Sequence, residues 1–439
     1  MSTSRLGGTD EAYLLLESTV GVVAPMQVVV VLDDDPGPDV ARDLVDRLVG
    51  GPLDRAVRRP TVPGARPSWV RPTGAASTRV DTTPVDDAVA WAQRHLVEAP
   101  VDVVGARGWQ VATVALTTGG RAVSVVASHV LADGRRFVQT VADAVAALDR
   151  TAPVDVSCAP DEPGWVRRVI ADSADAAAAV VDAVRAADAL RRTPSAAPKP
   201  ASTRTAPTRS GAVDGPPTHH VVTLDLARWR AAAHEHGGTA TTLLAAVGAG
   251  LARHSGVVAA RGGANGPVRV TLAVDRRGEG DSTTANTAGG VAVTVSDDPT
   301  PDTGLAVLRS TIRAALRDPA GDDAVARIAR LLPARVLRRV VTSLPGPDVS
   351  VSHLGPAPEA LLTWRHARAR TVLVRAAARS AAPHLARRML PGIALWAVEH
   401  GDAVTVTVCA VDPVARDDIA SVVERELGRW GLLLDVRSG

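Results

Sequence analysis

Between Arg191 and Pro217 the hydrophobic periodicity of this chain collapses into Pro, Ala, Ser and Thr, and this break most limits how the chain can fold. Sequence on both sides alternates short β-rich runs with helical patterns, so the tract reads as a tether between two α/β halves. In the first half the sequence Val28 to Leu32, Val40 to Val49, Val85 to Leu96 and Gln110 to Leu116 shows that alternation, and residues 162–192 read as a helix. In the second, strands are expected at Val221 to Leu224, Val268 to Val274, Val291 to Val295, Val349 to Ser352, Ile393 to Val398 and Ala403 to Ala410. Helices are expected near Leu226 to Glu235, Thr241 to Arg253, Gly304 to Leu316, Asp322 to Val341 and Ala415 to Trp430. A chain of 439 residues exceeds what one core usually organises. The expected organisation is an N-terminal lobe over residues 1–155, a crossover helix and linker over 156–219, and a C-terminal lobe over 220–439.

Several classes of function lose support. A net charge of +2, with arginine interleaved among Asp and Glu, does not favour nucleic acid as a partner. Cys158 and Cys409 lie far apart without metal-ligand spacing, which provides neither a disulfide framework nor a zinc site and fits a reducing cytoplasm. Met1 to Tyr13 is polar and acidic where a secretory leader would be basic and then apolar. Val20 to Leu32 is interrupted by Pro25 and Gln27 and ends in Asp33-Asp34-Asp35, so it reads as a buried strand and not a membrane span. A cytoplasmic protein is expected.

Chemistry concentrates in Ser128-His129-Val130-Leu131-Ala132-Asp133-Gly134. The preceding Arg121 to Ala127 is β-branched and mostly apolar, Ala132 to Arg135 carries turn chemistry, and Arg136 to Leu148 has a helical period through Phe137, Val138, Val141, Val145 and Leu148. His129 therefore sits where a buried strand gives way to a turn and a helix. A neutral imidazole is suited to taking a proton from a hydroxyl or amine near neutral pH. Asp133 is suited to fixing the turn by binding an arginine or backbone amides, and Gly134 permits a tight turn. The same residues also fit a bland reading, a hydrogen-bonded histidine at a strand end followed by an ordinary turn.

Flanking residues extend the pattern. Pro100-Val101-Asp102, Arg107-Gly108-Trp109, Gly119-Gly120-Arg121 and the Ser128 to Gly134 stretch resemble, in order and spacing, the bacterial wax ester synthase/diacylglycerol acyltransferase family, within the HxxxDG acyltransferase and condensation-domain superfamily. Asp10 to Leu14, Pro25 to Val28 and Arg66 to Trp69 resemble its opening segments. Gly238 to Ala246 resembles its buried helix, Ala285-Asn286-Thr287 its Asn-bearing strand approach, and Ser352-His353-Leu354-Gly355 its late turn. The resemblance implies an α/β, two-lobed chloramphenicol acetyltransferase-like fold, each lobe a mixed sheet with flanking helices, with an active-site tunnel between the lobes. It implies transfer of an acyl group from an acyl-CoA or carrier-protein thioester to a hydroxyl or amine, with His129 as general base. Asp133 sets the loop, Gly134 the turn and an oxyanion amide, and Ser128, Asn286, Ser352 and His353 are candidate substrate contacts. Ser352 capping a turn and Asn286 completing a strand end remain alternative readings.

Three departures stand out: Ser128 replaces the first of the family's two adjacent histidines, Thr241-Thr242 stand for its Asn-Asp, and His353 for its Asn after Ser352. They keep open a condensation-type enzyme of secondary metabolism and a non-catalytic relative that binds an acyl group or carrier protein. No tightly bound cofactor is implied; coenzyme A or phosphopantetheine arrives with the co-substrate, and peripheral contact with membrane or lipid is compatible with the family. His219-His220 and His234-Glu235-His236 do not present a metal-ligand geometry, since His234 and His236 lie on different helical faces. The basic stretch Arg365 to Arg370, with Arg387 and Arg388, reads as a solvated face or as a phosphate contact.

Overall fold

Valine-rich runs form the centre of two six-stranded mixed sheets, and helices cover them. The computed structural model describes residues 5–149, 162–192, 217–262, 266–277, 285–317, 331–332, 334–343, 345–380 and 389–433. The first sheet is built from β1 (Pro25–Leu32), β2 (Thr78–Val85), β3 (Trp109–Leu116) and β4 (Arg121–Ser128). The second contains β5 (Thr218–Asp225), β6 (Val268–Asp275), β7 (Ala288–Val295), β8 (Val349–Pro356), β11 (Ile393–His400) and β12 (Ala403–Ala410). The intervening β9 (Thr363–Trp364) and β10 (Ala367–Ala376) return to the first sheet, whose order is β9-β10-β1-β4-β3-β2. The second runs β7-β6-β8-β11-β12-β5. Parallel pairs are confined to β2 with β3 and to β8 with its two neighbours; the remaining pairs within these two sheets are antiparallel.

Several helices, α4 among them, follow the amphipathic pattern of the sequence. On the first lobe lie α1 (Gly8–Val20), α2 (Val40–Leu48), α3 (Ala88–Glu98), α4 (Gly134–Ala146) and the long α5 (Trp165–Arg192). On α4, Phe137, Val138, Val141 and Val145 are buried, each contributing roughly 1.5–3 kcal/mol on full burial. In the second lobe α6 (Ala240–His254) is buried on nearly every side, and α7 (Ile419–Arg429) packs beside it. A Cβ on Gly248 would come within 2.8 Å of Val349, so the absence of a side chain lets α6 lie close on β8. The substituted pair Thr241-Thr242 opens this helix, with Thr239 capping it by accepting from the Thr242 amide.

Several elements differ from the sequence expectations. Val85 to Leu96 is not one helix: α3 begins at Ala88 behind an Asp87 cap, and residues before it form β2. β2 is an edge strand with polar, partly exposed residues and a proline, which hides it from hydrophobic periodicity. The basic stretch from Arg365 turns into β10, with Arg368 and Arg370 outward and Val372, Leu373 and Val374 buried. Arg365 bonds the Pro36 carbonyl and Asp43, and the His366 ring lies 3.1 Å from the Asp35 carbonyl. Arg387 and Arg388 and most of the Pro-rich linker lie outside the described residues. The final helix begins at Ile419 after a short 3-10 turn, Pro413–Ala415. Among the described residues no helix is long and apolar enough to cross a membrane.

Candidate active site

β4 delivers His129, and α4 fixes the turn on its C-terminal side. The His129 amide donates to the Ala24 carbonyl at 3.0 Å, continuing the β1–β4 ladder by one residue. Leu131 then donates to the Ser128 carbonyl at 3.0 Å, closing the turn. Asp133 caps α4 by accepting from the Arg136 amide at 2.8 Å. Its second oxygen accepts from Arg277 Nη2 at 2.8 Å and from the Thr287 amide at 3.0 Å, both belonging to the second-sheet strand ends. The Asp133 carboxylate is thus buried, committed on both oxygens, and ties the motif turn to the opposite lobe.

Asn286 makes the second tie. Its Nδ2 donates to the carbonyls of His129 and Val130 at 3.0 and 3.1 Å and to Asp10 at 2.8 Å. The backbone carrying the imidazole is therefore held from lobe two, and Asn286 is 5% exposed. Burial raises the proton affinity of Asp10, which the Asn286 side chain partly offsets.

The side chain of His129 stacks on the ring of Tyr13, centroids 4.0 Å apart, with Tyr13 Oη 3.2 Å from Nε2. Its Nδ1 is buried and lacks a hydrogen-bond partner among the described residues, as does Asn286 Oδ1. Burial lowers the His129 pKa below the usual histidine range, opposed more weakly by its own backbone, the Asp133 charge and the Asn286 side chain. The neutral imidazole is favoured. Burial pushes the Tyr13 hydroxyl up to about 12, with Asp133 adding to the shift, so it stays protonated.

Ser128 is fully buried at the end of β4; its hydroxyl donates to Glu17 at 3.2 Å and accepts from the Val130 amide at 3.2 Å. Burial pushes Glu17 up to about 7; Asp102 adds to that, while the Ser128 hydrogen bond and Arg379 oppose it. Asp10, Tyr13 and Glu17 lie three and four residues apart on α1, so one helical face meets Asn286, His129 and Ser128 in turn. This face was legible only as a spacing: nothing in the composition of α1 says what it covers.

The late turn divides. A Cβ on Gly134 would lie 3.4 Å from Leu354, and Arg135 donates to the Leu354 carbonyl at 3.5 Å, so the β8 end reaches the start of α4. His353 Nε2 lies 3.5 Å from Glu399, without a hydrogen bond, and burial lowers its pKa despite that carboxylate. Ser352 pairs with Trp396 in the β8–β11 ladder, next to a bulge between His353 and Gly355. The structure therefore brings Ser128, His129, Asp133, Gly134 and Asn286 into one constellation, while the direct contacts of His353 lead to Glu399 and not to His129.

This architecture is known from solved structures. Wax ester synthase/diacylglycerol acyltransferase from Marinobacter aquaeolei VT8 matches at a TM-score of 0.56 and 16% identity, covering 97% of this chain and 98% of that one. The condensation domain from Monacolin K polyketide synthase matches at 0.56 and 13%, covering 98% of each chain. A starter condensation domain of rhizomide synthetase, in complex with C8-CoA, matches at 0.53 and 15%, covering 99% of this chain and 95% of that one. The chain has the two-lobed acyltransferase and condensation-domain fold. No protein-family model matches the sequence, and no curated protein matches it.

Proposed function

We propose that this protein is an acyltransferase that moves an acyl group from a thioester to a hydroxyl or amine, with His129 as the general base. The observation that carries the reading is the imidazole at the β4 end, kept neutral by burial while, from the second lobe, Asn286 holds its backbone carbonyl and Arg277 holds the Asp133 turn. The shared fold supports it, as does the C8-CoA bound to the rhizomide synthetase relative. With Tyr13 donating to Nε2 in the resting site, the ring carries its proton on Nδ1 and a lone pair on Nε2. An incoming acceptor displaces the tyrosine hydroxyl from that lone pair. Nε2 then takes the acceptor proton as the acceptor oxygen or nitrogen bonds to the thioester carbonyl carbon. The tetrahedral intermediate collapses by breaking the carbon–sulfur bond, and the imidazolium returns the proton to the thiolate. The histidine ends as it began, and no covalent enzyme intermediate forms.

In this reading Asp133 and Asn286 are positioning residues, and the first-turn amides of α4 beginning at Gly134 stabilise the oxyanion, each such donor being worth roughly 2.7–4 kcal/mol. The donor is an acyl-CoA or an acylated phosphopantetheine on a carrier protein, and donor and acceptor enter between the two lobes in the cytoplasm. An amine acceptor would place the chain functionally with the condensation domains. The test is thiol release from octanoyl-CoA and palmitoyl-CoA with alcohol and amine acceptors, comparing wild type with His129→Ala. Acceptor-dependent release abolished in His129→Ala supports the reading; equal release from both proteins refutes it.

A further inference from the structure

The helix α5 carries an apolar stripe on its outer side. Two of its carboxylates face the first lobe: Asp172 is fully buried between Arg5 at 2.7 Å and Arg58 at 3.1 Å, and Asp175 pairs with Arg66 at 2.7 Å. Its large aliphatic residues face outward, with Val166 60% exposed, Ile170 64%, Val180 51% and Val184 63%. A surface helix ordinarily buries its apolar stripe and exposes its charges.

The outward residues also have a period. Val166, Ile170, Ser173, Ala177, Val180 and Val184 are separated by four, three, four, three and four residues, the alternation of a coiled-coil seam, and all six are exposed. The seam runs for about 27 Å at 1.5 Å per residue. We propose that α5 joins two copies of this chain as an antiparallel coiled coil.

Three features select a second copy and that direction. In the antiparallel register that sets Ala177 opposite Val180 of the other copy, Ser173 falls opposite Val184, so each of these layers joins a small residue to a large one. A parallel, in-register pairing would stack Ser173 on itself and Ala177 on itself, leaving the middle of the seam underfilled. The same antiparallel register brings Arg167 at one end of the flank against Asp188 at the other, and by symmetry the charge pair occurs twice. Both residues are exposed. The inward ion pairs of Asp172 and Asp175 hold the helix to its own lobe on the opposite side, which leaves the seam outward for the partner.

The test is sedimentation velocity of the full chain from about 1 to 100 µM, the span expected for an interface at the small end of specific contacts. A concentration-dependent dimer is expected. Val180→Arg should abolish it, and Arg167→Asp should weaken it about fivefold, because two like-charge contacts replace two ion pairs. Adding Asp188→Arg to Arg167→Asp should restore the dissociation constant to within about twofold of wild type. A protein that stays monomeric throughout overturns the proposal, as does a dimer indifferent to Val180→Arg, or a double charge swap no tighter than the single one. A monomer that instead floats with phosphatidylcholine vesicles would assign the face to lipid and equally overturn it.

Discussion

Asp133→Ala is expected to destabilise the fold by about 3–4 kcal/mol, most of it through the contact between lobes. Loss of the α4 cap, in which Asp133 accepts from the Arg136 amide at 2.8 Å, costs about 1 kcal/mol. The Arg277 guanidinium, 14% exposed in its side chain and 2.8 Å from the carboxylate, would lose a charge-assisted partner, and the Thr287 amide its acceptor. Breaking a fully buried pair costs about 3–5 kcal/mol; the residual exposure of Arg277 reduces this to about 2–3. Asp133→Asn keeps a capping oxygen and loses the charge, so it should cost about 1 kcal/mol less than the alanine variant. The assay is urea unfolding followed by tryptophan fluorescence, in a cycle of Asp133→Asn and Arg277→Gln. A coupling energy of about 1.5–2 kcal/mol is expected. A coupling below about 0.5 kcal/mol would refute the claim that this pair ties the motif turn to lobe two.

Two further outcomes concern α1. Tyr13→Phe keeps the stacked ring but removes the hydroxyl at 3.2 Å from Nε2; with that hydroxyl donating to the neutral imidazole, as the proposed resting state has it, the His129 pKa should rise in an NMR titration, and no change would show the hydroxyl to be idle. Glu17 titrates near 7 in the folded protein against a reference of 4.5, so the unfolded chain releases its proton first and stability falls as pH rises from about 4.5 through 7, by on the order of 3 kcal/mol. Glu17→Gln should flatten that decline in denaturation midpoints measured from pH 4 to 8, and an unchanged slope would contradict it.

Local elements were legible where one face of a segment is buried. The helix Leu226–Glu235 and the strand Ala403–Ala410 coincide with the sequence expectation, because their periodicity and turn residues act within the segment itself. β2 was not legible, since an edge strand tolerates the polar residues and Pro84 that erase its alternation. Nor was β10, whose first residues are arginine-rich; its valines declare a buried strand only once β1 is known to lie beside it.

From the sequence alone came a buried β-rich run leading to His129, a turn through Asp133 and Gly134, and an amphipathic helix expected from Arg136 to Leu148. Tertiary structure alone decided that β10 crosses back to β1, that Tyr13 covers the imidazole, and that Arg277, Asn286 and Thr287 hold the motif from the other lobe. The division has one physical cause. Periodicity and capping express each residue's preference for burial, conformation and nearby hydrogen bonds, whereas the identity of a partner 116 or 157 positions away depends on how whole elements pack.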